Sequence, residues 1–236
     1  MDKAALRAVL DRNPWFAALP PALAEGILRE GRIQHLDGGA TIYREGDPAN
    51  GLYALIEGEI RVIQTTAEGR SALLLVAGAG AWFGESSMLD GKERHSDAIA
   101  FGKVAILQLT PAVFARLTRD ETAHYACFVQ LLGIQYRRAI DYIINTASLP
   151  LPVRLAQRLT SFGRGHGRKT AAGLVIDLKL SQTDLANTLG VSRQTLNRQL
   201  KKFEAEGLIS VGYAELTLRK PAVLERLARA GDPLPI

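Results

Sequence analysis

The chain has 236 residues and a net charge of +5, with 47% hydrophobic and 22% charged residues. This length allows one large domain or two smaller ones with separate cores, and the composition is that of a folded globular protein. The single cysteine, Cys127, excludes an intrachain disulfide and an iron–sulfur cluster, and the lack of an apolar leader or a bilayer-length run predicts a cytoplasmic protein.

In the amino-terminal half, the sequence pattern changes from helical to strand-like after about residue 30. The first 30 residues are predicted to form short helices around Trp15 and Phe16, interrupted by a pair of prolines. From Arg32 to about Leu109, the sequence consists of short stretches in which apolar and polar residues alternate, separated by glycine-containing turns. This pattern indicates antiparallel strands folded into a sandwich or barrel. This half is therefore predicted to be a β domain preceded by helices.

Two helices are predicted after the strands, one opening at Thr110 and Pro111 and a longer one from about Thr122 to Thr146. The longer helix carries an apolar stripe along one side, interrupted by polar residues. A half-apolar helix needs a partner. That this partner is the same helix of a second copy, in a dimer seam, is implied by the family resemblance described below. The alternative is that it packs only against its own β domain. The predicted dimer positions are Phe128, Leu131, Leu132, Gln135, Ala139, Tyr142 and Ile143.

The last third of the chain begins at a proline-rich boundary, residues 149–152, and holds the basic excess of the sequence. We expect a helix over Val153–Phe162, a loop over Gly163–Lys169 and, near the end, a short hairpin over residues 207–219. Residues 1–149 are close to neutral, so a basic third suits a nucleic-acid-binding module attached to another domain.

Residues 181–206 predict two short helices joined by a tight turn. Ser181 and Ser192 can each cap a helix start, and Asp184 completes a capping box with Ser181. Gly190 stands where a chain leaving a helix often needs a positive φ. Leu196, Leu200 and Phe203 recur on one side of the second helix and fix its buried face. The opposite face offers Arg193, Gln194, Asn197, Arg198 and Lys201.

In this order, a β-roll, a long helix and a winged helix-turn-helix resemble the cyclic-AMP receptor (Crp/Fnr) family of transcription regulators. The resemblance is carried by residues 46–62, 83–94 and 180–209. It implies an α+β protein with a cyclic-nucleotide-binding-like β-roll, a dimerisation helix and a winged helix-turn-helix domain. The predicted domains are residues 1–121 for the roll, 122–149 for the dimerisation helix and hinge, and 150–236 for the DNA-binding part.

The resemblance also implies how a homodimer would bind an inverted-repeat operator, with the second helix of each motif in the major groove. Arginine can pair with guanine and glutamine with adenine. Many members have glutamate at the position of Gln194, so the usual half-site is in doubt at that base pair. The predicted base-reading residues are Arg193, Gln194, Asn197 and Arg198. The predicted phosphate contacts are Ser192, Thr195, Lys201, Lys202, Arg164, Arg168 and Lys169.

In nucleotide-binding members of the family, a glutamate in the roll takes the ribose hydroxyl and an arginine pairs with the cyclic phosphate. Here Glu85 and Arg94 match, but His95 stands at the serine position, with Ser96 one residue later. Two apolar residues replace the hydroxyl groups that contact adenine. The candidate pocket is Gly84, Glu85, Ser86, Arg94, His95, Ala139 and Ile140. A cyclic nucleotide, an unknown ligand, and an empty roll in which Glu85 and Arg94 pair remain alternatives.

Other functions have less support. A haem-binding member would use an axial histidine, for which His35, His95 or His124 could be nominated. No arrangement of catalytic residues and no Walker loop appears, so we expect a protein that is not an enzyme. The main alternative is a nucleotide-binding module whose basic tail contacts nucleic acid without sequence preference, or contacts protein. Double-stranded DNA, a second copy of the chain and RNA polymerase are the expected partners.

Overall fold

The computed structural model describes residues 2–65, 71–119, 122–176, 181–212 and 215–229, with only the backbone at 71–72 and 164–166. The chain divides into two compact units, Met1–Arg137 and Arg138–Ile236, and the division falls within the long helix. No described helix has the length and apolar character needed to cross a membrane.

The first unit begins with three helices, as predicted around Trp15 and Phe16: α1 (Lys3–Leu10), α2 (Pro14–Ala17) and α3 (Pro21–Glu30). The strands are β1 (Arg32–Leu36), β2 (Thr41–Tyr43), β3 (Leu52–Thr65), β4 (Ser71–Ala77), β5 (Trp82–Phe83) and β6 (Asp97–Leu109), with α4 (Glu85–Asp90) before β6 and α5 (Pro111–Arg119) after it. The sheet order is β1-β6-β3-β4, with β2 on β6 and β5 on β3. All these pairs are antiparallel, which confirms the predicted β domain.

Two apolar cores stabilise this unit. One joins the helices to the sheet through Trp15, which lies edge-on to Trp82 with ring centroids 5.1 Å apart and donates its indole N–H to the Cys127 carbonyl at 2.7 Å. Phe128 is fully buried in the same core. The second core lies inside the roll and contains stacked Tyr53 and Phe83. Aromatic pairs of this kind contribute beyond their buried area, so both cores give the roll a fixed interior.

The long helix α6 (Thr122–Ser148) runs through the division between the units, and its bounds agree with the predicted helix. The second unit continues with α7 (Leu151–His166), β7 (Gly167–Thr170), β8 (Gly173–Ile176), α8 (Gln182–Thr188), α9 (Arg193–Ala205), β9 (Ile209–Val211), β10 (Leu216–Leu218) and α10 (Pro221–Arg229). Its sheet has the order β7-β8-β10-β9. The predicted hairpin is confirmed as β9 and β10, with residues 213–214 between them outside the described part.

The predicted loop over Gly163–Lys169 is wrong. Helix α7 continues to His166, and β7 pairs with β8 immediately afterwards. Gly163 lies where a side chain would crowd β8, since a Cβ there would lie 2.8 Å from Leu174 Cδ2. The lack of a side chain at this position lets β8 approach the helix. Gly163 therefore serves the close packing of α7 against β8 and does not mark a loop.

Candidate functional site

The two helices of the predicted DNA-reading motif begin as the sequence indicated. Ser181 Oγ accepts from the Asp184 N–H at 3.1 Å, and the Asp184 carboxylate accepts from the Ser181 N–H at 3.2 Å. Ser192 caps α9 by accepting from the Thr195 N–H at 3.2 Å. Gly190, between the helices, has a φ of +62°. Both caps and the turn are therefore confirmed, and the start of α9 is fixed by its own chain.

The buried side of the motif also agrees with the sequence. Ala186 on α8 is almost fully buried, and its small side chain permits close contact between the helices. Leu196, Leu200 and Phe203 are the buried apolar residues of α9. Since these residues hold one face of α9 against the unit, the opposite face is left to solvent.

That opposite face presents three of the four predicted base-reading residues together. Arg193, Gln194 and Arg198 are exposed on α9 and lie within five positions of one another. Asn197 is half-buried, and its amide donates to Gln182 Oε1 at 3.4 Å. Asn197 therefore connects the two helices of the motif, and its base-reading role stays a prediction.

The predicted phosphate contacts fall into two groups. Lys201 and Lys202 are exposed on α9, while the Ser192 and Thr195 hydroxyls hydrogen-bond to each other at 2.9 Å in the cap. The second group lies on β7, where Arg168 and Lys169 are exposed; the side chain of Arg164 lies outside the described part. β9 packs against α9, and β7 is three strand spacings from β9, about 14 Å. The second group therefore lies at the other edge of the sheet from the strand that packs against α9.

Inside the roll, the Arg94 side chain is buried and is hydrogen-bonded by its own unit. Its Nη1 donates to the Gly84 carbonyl at 2.7 Å, and its Nη2 donates to Asn50 Oδ1 at 2.9 Å and to the Gly51 carbonyl. Its guanidinium lies 4.2 Å from the centre of the Tyr43 ring. Only Nε, among its nitrogens, is buried without a partner. Both terminal nitrogens of Arg94 therefore donate hydrogen bonds within the protein.

Glu85, the other matching pocket residue, is buried at the start of α4, and none of the hydrogen bonds of Arg94 goes to it. The alternative in which Glu85 and Arg94 pair with each other is therefore not supported, while the ligand alternatives stay open. Burial raises the pKa of Glu85, and the nearby charge of Arg94 opposes that rise.

This raised pKa has a consequence for stability. A carboxyl whose pKa is higher in the folded than in the unfolded state stabilises the fold at low pH, and this contribution is lost as the pH rises through the folded pKa. We expect Glu85→Gln to raise the denaturation midpoint at pH 8, with a gain that shrinks as the pH falls toward 4.5. Urea titrations across this range measure it. Glu93→Gln, which removes an exposed carboxylate nearby, is the control. A constant difference at every pH contradicts the assignment.

The remaining candidate pocket residues differ in their exposure. His95 is exposed, whereas Ser96 is buried, so the predicted pocket position of His95 is wrong and Ser96 takes the inward place. His95 and Ser96 lie in a bend immediately before β6, between the buried Arg94 and the strand. Gly84 has a φ of +83°, and a Cβ there would lie 2.9 Å from Arg94 Nη1. Ser86 is half-buried on α4, Ala139 is exposed on α6, and Ile140 is half-buried there.

Helix α6 corrects the predicted dimer seam. Phe128 and Leu131 are buried in the core of their own unit, so they cannot contact a partner, and both assignments are wrong. Gln135 donates to the Trp82 carbonyl at 3.1 Å. Tyr142 lines a cavity of the second unit. Leu132, Ala139 and Ile143 keep their assignment as predictions.

Sequence reasoning missed a better stripe on the same helix. Tyr125, Val129, Tyr136 and Ile143 are exposed large side chains, and with Leu132 and Ala139 they recur at alternating spacings of four and three residues. This is the heptad spacing of a coiled-coil seam. The spacing is visible in the sequence, but Phe128 and Leu131 are more apolar, and the prediction therefore placed the seam on the neighbouring face.

Two of the histidines nominated as haem ligands differ in their exposure. His124 is buried with Nδ1 2.8 Å from the Leu117 carbonyl, and His35 is exposed on β1. Burial raises the pKa of the Cys127 thiol. Throughout the described ranges, no group of three or more potential metal ligands comes together.

Comparison with known proteins separates the chain into the same two parts. The family model for the cyclic nucleotide-binding domain matches residues 33–121, and that for the Crp-like helix-turn-helix domain matches residues 153–227. The CRP-like cAMP-activated global transcriptional regulator of Mycobacterium tuberculosis is 24% identical over 94% of this chain and 99% of its own length. The cyclic AMP receptor protein of Thermus thermophilus is 28% identical over 92% and 97%.

Solved structures support the same relation. A transcriptional regulator of the CRP family from Thermus thermophilus aligns with a TM-score of 0.69 and 26% identity, covering 83% of this chain and 96% of that one. The similarity therefore extends over the roll, the long helix and the helix-turn-helix part, in the order in which they occur here.

Proposed function

The chain belongs to the Crp/Fnr family of DNA-binding transcription regulators, and on that basis we propose that it acts as a homodimer that reads an inverted-repeat operator. The observation that carries this proposal is the exposed face of α9, where Arg193, Gln194 and Arg198 stand together on a helix capped at Ser192. Each arginine can donate two hydrogen bonds to guanine, and the glutamine can donate one to adenine N7 and accept one from N6 in the major groove. A general phosphate-binding surface would not need this fixed arrangement.

The dimer is supported by the exposed heptad stripe of α6, from Tyr125 to Ile143. Large apolar side chains at this spacing are costly in water and stable against a second helix of the same kind. A parallel pair of such helices relates the two copies of α9 by a twofold axis. Two half-sites about one helical turn apart follow from that symmetry.

We further propose that the roll needs no cyclic nucleotide for DNA binding. Arg94 is already hydrogen-bonded to two carbonyls and an amide and lies over Tyr43. Ala139 and Ile140 offer no hydrogen-bonding group to a base. A phosphate entering the roll would have to displace bonds that the protein makes for itself.

A second candidate is a regulator activated by a cyclic nucleotide. It is favoured by the cyclic nucleotide-binding family match over residues 33–121, by the buried Glu85 and Arg94, and by the names of the matched mycobacterial and Thermus proteins. In this candidate the nucleotide phosphate replaces the intrachain partners of Arg94.

The matched proteins are transcription regulators rather than enzymes, and we propose that RNA polymerase is the partner through which the bound dimer acts, in the cytoplasm. No cofactor is required by this proposal, since DNA reading rests on side chains of α9 alone.

Selection of random duplexes by the purified dimer tests the function. We expect enrichment of one palindrome by the wild type, and Arg198→Ala to lose about 1–3 kcal/mol at one base pair in each half-site, because one pair of hydrogen bonds to a base is removed. Lys201→Ala is the control, since a phosphate contact weakens all sequences alike. The selection is run with and without cyclic AMP.

Each outcome of the selection decides between the candidates. A palindrome enriched in both arms supports the ligand-independent regulator, and enrichment only with cyclic AMP supports the second candidate. Uniform binding of all sequences contradicts both and favours a general nucleic-acid-binding tail. An equal loss on every sequence in Arg198→Ala identifies a phosphate contact instead of a base contact.

A further inference from the structure

The second unit contains a cavity that the DNA-binding function does not use. It has a volume of about 280 Å³ and lies among the end of α6, the outer side of α7 and the end of α8. Every lining residue lies within Arg138–Ile236, so the cavity belongs to one compact unit. Its size is near the lower end of the range for small-molecule sites.

Positive charge dominates the walls of this cavity. Arg138 on α6 and Arg154 and Arg158 on α7 line it, and Asp141 is the acidic residue among the lining side chains. Arg154 and Arg158 are four residues apart, so they project from the same face of α7. The cavity therefore has more cationic than anionic groups at its surface.

The charges of two of these arginines are not neutralised by carboxylates. Arg154 donates from Nη1 to the Leu189 carbonyl at 2.7 Å, and its Nε is buried without a partner. Burial lowers the pKa of Arg158, and the neighbouring Tyr142 opposes that change. Within the described ranges, neither arginine has a carboxylate oxygen within 4.0 Å. Partly buried cations without a counter-charge are costly, which an anion in the cavity would relieve.

We propose that this cavity binds a small organic anion that carries a phosphate or two carboxylates. The planar guanidinium groups of Arg154 and Arg158 donate in pairs to such oxygens. Thr146 and Ser161 supply hydroxyl groups on the same walls, and the Tyr142 ring supplies an apolar side. None of its lining residues belongs to the exposed face of α9.

The position of the cavity gives the anion a route to DNA binding. Leu189, whose carbonyl Arg154 holds, ends α8 and precedes Gly190 in the turn that leads to α9. A ligand that fixes Arg154 therefore fixes the turn that orients the base-reading helix. This consequence rests on the proposed function, whereas binding of the anion does not.

Isothermal titration of the full-length protein with pyrophosphate, and separately with citrate, tests the site without DNA. We expect one anion per chain, and Arg158→Met to weaken its affinity about ten- to a hundredfold, because charged hydrogen bonds are removed while the apolar part of the side chain is kept. Arg226→Met is the control, since Arg226 is exposed on α10 and lies outside the cavity. Its affinity should equal that of the wild type.

The two probes distinguish a phosphate ligand from a carboxylate ligand. Arg154→Lys provides a second variant that keeps the charge but loses paired donation, and far-UV circular dichroism establishes that each variant is folded. Equal affinity in wild type and Arg158→Met overturns the proposal, as does an equal loss in Arg226→Met, which indicates general charge attraction. Failure of the duplex selection contradicts the proposed function and leaves this titration unaffected.

Discussion

Replacing both Tyr136 and Ile143 by glutamate is expected to convert the dimer to a monomer and to lower its affinity for a palindromic operator about a hundred- to ten thousandfold. The two side chains are 64% and 59% exposed in the single chain, so neither supports the fold of its own unit. In a parallel pair of helices each position faces its own copy. Each new carboxylate would therefore meet a like charge in the centre of the seam.

The loss of affinity follows from the symmetry of the operator. A dimer binds one half-site and places its second α9 at a high effective concentration beside the other, and a monomer has no such advantage. The monomer should therefore bind a palindrome and a single half-site almost equally well. Because the substituted residues lie outside α9, its contacts within each half-site are retained.

Sedimentation equilibrium measures the change in mass, and fluorescence anisotropy with palindromic and half-site duplexes measures the change in affinity. Arg137→Glu is the matched control, since Arg137 is exposed beside Tyr136 and lies off the heptad stripe. It should remain a dimer. If the double variant also remains a dimer, α6 is not the interface, and an apolar surface elsewhere must join the two copies.

The helix-turn-helix could be predicted in detail because its signals are local. The caps at Ser181 and Ser192, the positive φ of Gly190 and the burial of Leu196 all depend on neighbours within one or two turns. Such signals can be read from a short stretch of sequence. The exposed face of α9 could then be predicted as well, because the residues that are not buried in the core remain in contact with solvent.

The dimer seam could not be read in the same way, because burial of α6 depends on distant parts of the chain. Phe128 packs against Trp15 and Phe114, which precede it by many residues. A helix with two apolar faces gives no internal sign of which face its own unit covers. Only the fold shows that Phe128 belongs inside and that Tyr136 remains outside.

The interior of the roll posed a different problem. A buried arginine close to a glutamate in sequence suggests an ion pair or a phosphate site, and both ideas ignore the backbone. The carbonyls of Gly84 and Gly51 turn toward Arg94 because of the path of the chain, and no side-chain pattern encodes this. The sequence therefore identified Arg94 as a residue of interest, but its backbone partners could not be predicted from it.

Arg94→Met is expected to destabilise the first unit by about 3 kcal/mol in the absence of any ligand. Its removal leaves the carbonyls of Gly84 and Gly51 without their donor, and an unsatisfied buried group costs about 1–3 kcal/mol, whereas the exposed Asn50 can bind water instead. Loss of the contact with the Tyr43 ring adds to this cost. Relief from burying a cation offsets part of the total. Urea denaturation of both proteins measures the difference.

Arg44→Met is the control, because Arg44 carries the same charge in the same unit and is exposed. It should change the unfolding free energy by no more than about 0.5 kcal/mol, the usual range for surface positions. An equal, small effect in Arg94→Met would show that its intrachain hydrogen bonds contribute little. Arg94 would then be available to bind a ligand and would not be needed for the stability of the roll.

Addition of cyclic AMP separates a structural arginine from a ligand-binding one. A ligand that binds only the folded state at a hundred times its dissociation constant stabilises that state by about 2.7 kcal/mol. We expect no such gain in the wild type, since Arg94 is already hydrogen-bonded within its own unit. A gain in the wild type that disappears in Arg94→Met would instead assign the phosphate to Arg94. In that case the intrachain bonds would be those of the unliganded state, and their exchange for phosphate would be the switch of the regulator.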